Sequence, residues 1–157
     1  MLSSRSAKIC YFFILTIAFF LFTIITFLLI SFLFMKDKET SIVCIKNNCF
    51  EVEIVKSISD KKKGLSFRDN LEQNAGMLFV YEKEGLYSFW MKDMNFPLDI
   101  IWINKDKKVV YMKESTQPCT ADNCTSLKPK EKAIYILEVN SGLINKYNIK
   151  IGDNLVF

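Results

Sequence analysis

Three ionisable residues stand in apolar surroundings, and they are the chain's first candidates for chemistry. Lys92 ends the run Ser88-Phe89-Trp90-Met91, Asp99 opens Asp99-Ile100-Ile101-Trp102-Ile103, and Glu138 lies in Ile134-Tyr135-Ile136-Leu137-Glu138-Val139. Alternate residues of a strand share a face, so Asp99 goes with Ile101 and Ile103, and Glu138 with Ile134 and Ile136. A carboxylate buried in this way is costly unless a cation or several donors meet it. Lys92 and Arg68 are the natural cations, and Trp90, on the face of Lys92, could wall a pocket beside them. The set Arg68, Trp90, Lys92, Asp99 and Glu138 therefore has two readings. One is a network that pins strand register and closes one end of a barrel. The other is a polar pocket that binds a ligand or moves a proton.

The chain has no histidine. That removes Ser-His-Asp and Cys-His nucleophile systems and every histidine-ligated zinc or iron site. No glycine-rich phosphate loop is present either. An enzyme built on this sequence must work with carboxylates, lysine, tyrosine or backbone donors. Nothing in the sequence calls for a cofactor or a metal.

The elements that must position these residues are mostly strands. Ser41 to Val55 reads as a hairpin turning at Lys46-Asn47-Asn48. Met77 to Tyr81 and Leu86 to Lys92 read as a second hairpin about Glu82-Lys83-Glu84-Gly85. Leu98 to Ile103 and Lys108 to Lys113 form a third about Asn104-Lys105-Asp106-Lys107. Ala133 to Val139 and Leu155 to Phe157 complete the set. Ser59 can cap a short helix running toward Leu65, and Ser141 a helical turn through Tyr147. Evenly spaced short strands predict a mainly β (α+β) domain, a barrel-like antiparallel fold with one or two short helices.

Ahead of that domain lies the apolar run Ile9 to Phe34, with no charge inside it. A bilayer core about 30 Å thick needs roughly 20 helical residues, so the run can cross it. It is longer than a signal-peptide core and lacks a small-residue exit, which favours an uncleaved signal anchor. The expected organisation is a tail at 1–8, a transmembrane helix at 9–35, a tether at 36–40 and a soluble domain at 41–157. All 17 acidic residues, and all but Arg5 and Lys8 of the 21 basic ones, follow Met35. The domain is thus nearly balanced in charge, which argues against a nucleic-acid surface. Lys61-Lys62-Lys63 is its single basic run and reads most simply as a solvated loop or helix end.

Basic residues flank the span almost equally, so charge does not orient it. The cysteines say more. Cys44, Cys49, Cys119 and Cys124 form two local pairs of equal spacing, which suggests disulfides and an oxidising compartment. A four-cysteine zinc site competes, although structural zinc usually prefers Cys-x-x-Cys knuckles. Cys10, within the span, reads as a small apolar residue. Asn123-Cys124-Thr125 is formally a glycosylation sequon. Together these features place the expected domain outside the cytoplasm of a single-pass membrane protein.

A set of short motifs then appears in order: Gly64-Leu65 with Arg68 and Leu71, Gly76-Met77-Leu78-Phe79, Phe89-Trp90-Met91-Lys92, Pro97-Leu98-Asp99, Pro118-Cys119 with Cys124, Leu137-Glu138-Val139 with Gly142, and Gly152-Asp153. From about Val52 to Phe157 the chain resembles the prokaryotic domain of unknown function 192 family. The resemblance implies a compact β-rich domain, often exported, with no established activity, and it favours pairing Cys119 with Cys124. The chain departs from the family pattern at Ser66, where methionine is frequent, and at Asp93-Met94, where asparagine and threonine are.

Three functions are compatible with these residues. The first is a non-catalytic module that binds a small molecule, glycan or envelope protein. The second is a metal-free hydrolase or isomerase using Asp99 or Glu138 as base, with Lys92 or Arg68 holding an anion. The third is a structural partner of another membrane protein, docked through a seam of Thr16, Thr23, Thr26 and Ser31.

Overall fold

The structure, a computed structural model, describes residues 4–33, 39–119 and 124–157. Phe34, Met35, most of the expected tether and Asn123 of the sequon lie outside them. The chain divides into two compact units, Met1–Asp37 and Lys38–Phe157.

The described residues of the first unit form one helix, α1, Ser4–Leu33. It begins within the expected N-terminal tail. Its stretch Tyr11–Phe32 is long and apolar enough to cross a membrane. The threonine hydroxyls inside it bond back to the helix's own carbonyls: Thr16 to Phe13, Thr23 to Phe20 and Thr26 to Thr23, at 2.8–2.9 Å. In lipid, where no water can satisfy them, this is how isolated hydroxyls are accommodated.

The second unit contains β1 (Thr40–Ile45), β2 (Asn48–Val55), α2 (Ile58–Lys63), β3 (Ala75–Gly85), β4 (Leu98–Ile103), β5 (Val109–Thr116), β6 (Ala133–Asn140), α3 (Leu143–Lys146) and β7 (Leu155–Val156). One sheet runs in the order β5-β4-β6-β3-β2-β1-β7. It curls as a half-barrel, and backbone hydrogen bonds between 107–109 and 152–155 join its two edges at one end. These are Gly152 N–H to the Val109 carbonyl, Val109 N–H to Asp153 and Leu155 N–H to Lys107, each 2.7–2.8 Å.

Both faces of this sheet are covered. Val43, Ile45, Phe50, Val52, Leu78, Ile101, Ile103, Leu137, Val139 and Leu155, drawn from six strands, fill the inside of the curl. Met77, Phe79, Leu98, Ile100, Trp102 and Ile136 point the other way and meet Leu65 and Met91 from the covering loops. All six residues of β4 are buried in consequence. Trp102 is fully buried, and its indole N–H donates to the Tyr87 carbonyl at 2.9 Å. Truncating such a side chain costs about 3–5 kcal/mol.

Several expectations change. The sheet is not wholly antiparallel, because β2 and β3 pair in parallel. Parallel neighbours need a crossover of a dozen or more residues, and α2 with the following loop supplies it. The sequence predicts the short helix, but evenly spaced strands do not say that it carries the chain across to a parallel neighbour. The expected hairpin about Glu82-Lys83-Glu84-Gly85 is absent: β3 runs straight through those residues, while Leu86 to Lys92 makes only single bridges, Phe89 to Leu127 and Lys92 to Cys119. The charged quartet lengthens a strand end instead of turning it. Ser57, not Ser59, caps α2, accepting from the Asp60 N–H at 3.1 Å, and Gly64 closes the helix at φ 50°. Ser141 does not cap α3. Gly142 precedes that helix at φ 88°, and the first-turn N–H of Ile144 is met by Asp99 of β4.

Candidate functional site

Strand register decides which of the candidate residues meet. Glu53 of β2 pairs with Met77 of β3, Met77 with Glu138 of β6, and Glu138 with Ile100 of β4. Directly paired residues share a face, so Glu53 and Glu138 flank Met77 on the outer side of the sheet. At about 4.8 Å per strand they stand about 10 Å apart. Arg68, in the crossover after α2, lies over this row. Its guanidinium grips Glu53 through both terminal nitrogens, at 2.5 and 2.8 Å, a two-pronged pairing that fixes the guanidinium plane. Asn95 donates to the Arg68 carbonyl and steadies the backbone there.

Glu138 is 5 % exposed, and its carboxyl oxygens have no hydrogen-bond partner among the described residues. Burial pushes its pKa up to about 8, against the pull of Arg68 in the opposite sense. The carboxyl forms the floor of a cavity of about 200 Å³. Phe79, Tyr81 and Phe89 wall that cavity, Trp90 stands at its mouth 54 % exposed, and the end of α2, Lys61 to Lys63, lines one side. Phe89 is set edge-on to Phe79, with centroids 4.8 Å apart. The Tyr81 phenol is pushed up to about 12 by burial first, then by Tyr87, stacked on it at 3.5 Å, and by Glu138. The Lys61 ammonium sits 4.2 Å from the centre of the Tyr81 ring, and burial lowers its pKa while Glu82 raises it. The Glu53 hydrogen bond, foremost, raises the pKa of Arg68.

The remaining candidates lie elsewhere. Asp99 is fully buried on the opposite face of the sheet, among the residues inside the curl. Its Oδ1 accepts from the Ser115 N–H and its Oδ2 from the Ile144 N–H, both at 2.7 Å. Ser115 has φ 48°, where β4 and β5 shift register, so Asp99 holds an irregular strand and the start of α3 together. Lys92 is exposed. Its carbonyl accepts from the Ser66 hydroxyl, but its side chain pairs with neither Asp99 nor Glu138. The expected five-residue cluster thus resolves into Arg68, Trp90 and Glu138 on one face and a separate Asp99 on the other. A one-residue difference in parity separates the two carboxylates, because Asp99 is paired with Val139, the neighbour of Glu138.

Glu53 was missed by sequence reasoning. It alternates with apolar residues beside Glu51 and looks like the solvent side of a hairpin. The available signal was Val55, which shares its parity and is buried in the outer layer. Ser66 and Met94, two positions at which the chain departs from the resemblance noted above, line the same cavity. Cys44 is bonded to Cys49, directly opposite it across β1 and β2, and Cys119 to Cys124. All four cysteines outside α1 are therefore paired with each other and not gathered at a zinc site. Among the described residues no group of three histidine, cysteine or acidic side chains could hold a metal ion.

Residues 41–157 match the model of the DUF192 family, described as an uncharacterized ACR. The chain belongs to the DUF192 family. Two solved structures share its fold. A Novosphingobium aromaticivorans DSM 12444 protein of unknown function is 27 % identical, with 78 % of this chain and 89 % of that one covered and a TM-score of 0.72. A Sinorhizobium meliloti 1021 protein described provisionally as a transcription regulator is 24 % identical, with 77 % and 95 % covered and a TM-score of 0.70. No functionally curated protein matches. The half-barrel is thus a DUF192 fold, and in this DUF192 protein an N-terminal helix able to cross a membrane precedes it.

Proposed function

We propose that the protein is a single-pass, membrane-anchored binding module whose domain lies outside the cytoplasm and takes its ligand in the cavity over Glu138. The observation that carries this reading is Glu138 itself. No buried side-chain polar atom of the described residues is left unsatisfied, so the oxygens of this nearly buried carboxyl open onto the cavity, where ionising it is costly. Such a group, facing a cavity with aromatic walls, is what a ligand-binding pocket requires and a core does not. The anchor rests on α1 and its apolar stretch Tyr11–Phe32. The extracytoplasmic side rests on the two cystine pairs, which persist in oxidising compartments.

Enzymatic use of the pocket is the second reading, favoured by one fact: a carboxyl with its pKa at about 8 in a cleft is suited to moving protons near neutral pH. Of the acids and bases expected to serve it, Asp99 has both oxygens occupied on the other face and Lys92 is exposed. Glu53 is gripped by Arg68. A binding role needs Glu138 alone, so it is preferred.

The test is a thermal-shift screen of the full chain in detergent beside its Glu138→Gln variant. A ligand of the folded state raises its melting temperature by mass action. Compounds that stabilise the native protein and not the variant support the proposal; binders indifferent to the substitution would sink it. Digestion of the domain by protease added outside intact cells checks its side of the membrane.

A further inference from the structure

Resting on the reading of the Glu138 cavity as a binding site, we propose that its ligand is an acidic sugar residue, a single polyhydroxyl ring bearing a carboxylate. The floor sets the first requirement. Whatever meets Glu138 must satisfy a carboxyl that lacks a partner among the described residues. A hydroxyl does so in either protonation state, donating to the carboxylate or accepting from the acid. An ammonium group is disfavoured there, because Lys61 to Lys63 line the cavity and the field of Arg68 reaches Glu138. A carboxylate at the floor would face repulsion whenever Glu138 is ionised.

The walls set the second. Phe89 lines the cavity and Trp90 stands exposed at its mouth, whereas the faces of the Tyr81 ring are taken by Tyr87 and by Lys61. Phe89 and Trp90 suit the C–H face of a saturated ring, whose hydroxyls project at its edge. The rim sets the third. Neither Lys62 nor Lys63 is ion-paired among the described residues, and both line the cavity above an apolar wall. An anionic substituent on the ring's outer edge complements them. The volume sets the fourth: about 200 Å³ is below the roughly 300–1,000 Å³ of drug-sized sites and suits one ring, not two.

The experiment uses the full chain in detergent and three probes: D-glucuronate, D-glucose and cyclohexanecarboxylate. Trp90 reports binding by fluorescence, since Trp102 is fully buried, and Trp90→Phe is the optical blank, with thermal shift as the second readout. At the ligand efficiency usual for small ligands, D-glucuronate should bind with a Kd of about 1 mM. The other two probes should each bind about tenfold more weakly. Combined Lys62→Gln and Lys63→Gln substitution should abolish the preference for glucuronate over glucose, and Glu138→Gln should weaken both sugars. Equal binding of glucose and glucuronate overturns the anionic requirement. Preference for cyclohexanecarboxylate overturns the sugar assignment. If none of the three binds while another compound does so in a Glu138-dependent way, the ligand class falls and the pocket stands. If no binder of any kind responds to Glu138→Gln, both fall together.

Discussion

Replacing Glu138 with glutamine should make this protein progressively more stable than the native form as pH rises, although it removes a residue from the proposed site. The folded-state pKa of Glu138 is about 8, against an ordinary 4.5. Below about pH 4.5 both folded and unfolded chains hold this proton; above about pH 8 neither does. Between them the folded chain holds a proton that the unfolded chain has released, so stability falls as pH rises. The slope is about 1.4 kcal/mol per pH unit, and the whole window amounts to at most about 4–5 kcal/mol. Glutamine has no proton to lose, and any fixed cost of the amide cancels when slopes are compared. For a domain of this size about 1 kcal/mol moves the melting temperature by about 4 °C, so the two curves should separate by about 5 °C per pH unit. The assay is thermal unfolding of the full chain in non-ionic detergent from about pH 5 to about pH 8.5. Parallel curves would refute the assignment of a proton-holding carboxyl to this position. Arg68 opposes the upward shift, so Arg68→Met should carry the falling limb to still higher pH. An unmoved limb would show that Arg68 does not act on Glu138, and one displaced downward that it acts in the opposite sense.

Three further predictions concern the scaffold. Asp99→Ala strands the buried N–H groups of Ser115 and Ile144 and should cost about 2–5 kcal/mol in denaturant unfolding, while leaving affinity for any Glu138-dependent ligand unchanged. Gly76→Ala would set a methyl 2.8 Å from the Glu138 carbonyl oxygen and 3.2 Å from Val52 and Val139, so a loss of about 3 kcal/mol or more is expected, read as a lowered melting temperature. In the denatured, unreduced chain a maleimide should label Cys10 alone, and reduction should expose four more thiols. Reduction should also cost about 2 kcal/mol for each short loop.

Much of the architecture was readable from local pattern. The β1–β2 hairpin follows from a two-residue turn in which Lys46 takes φ 56°. The β4–β5 pair and β6 follow from apolar runs bounded by turn residues. What escaped was set by tertiary pairing. β3 outruns its apolar stretch: past a register break after Val80, Gly85 still pairs with Ala133 of β6. The parallel alignment of β3 with β2 depends on the crossover through α2, a helix expected near Ser59 but whose role in joining parallel neighbours no local pattern carries. The site was half legible for the same reason. Alternation placed Asp99 with Ile101 and Ile103, and Glu138 with Ile136, each correctly. Which of those two faces was which needed the register between β4 and β6, and that is not written in either strand alone. Lys92 looked buried because the strand expected at Leu86 to Lys92 does not form.

The doubly covered β4 has a consequence for how this molecule can change. Its six side chains divide alternately between two apolar layers, so the sheet acts as an insulating partition with one acid on each side. Asp99 belongs to the compartment that keeps the fold intact, Glu138 to the compartment that opens outward. Substitutions around Trp90, Ser66 or Met94 can therefore reshape what enters from outside with little disturbance of the sealed half. On the proposed binding reading, ligand preference and foldability are thus nearly independent tasks within a single small sheet.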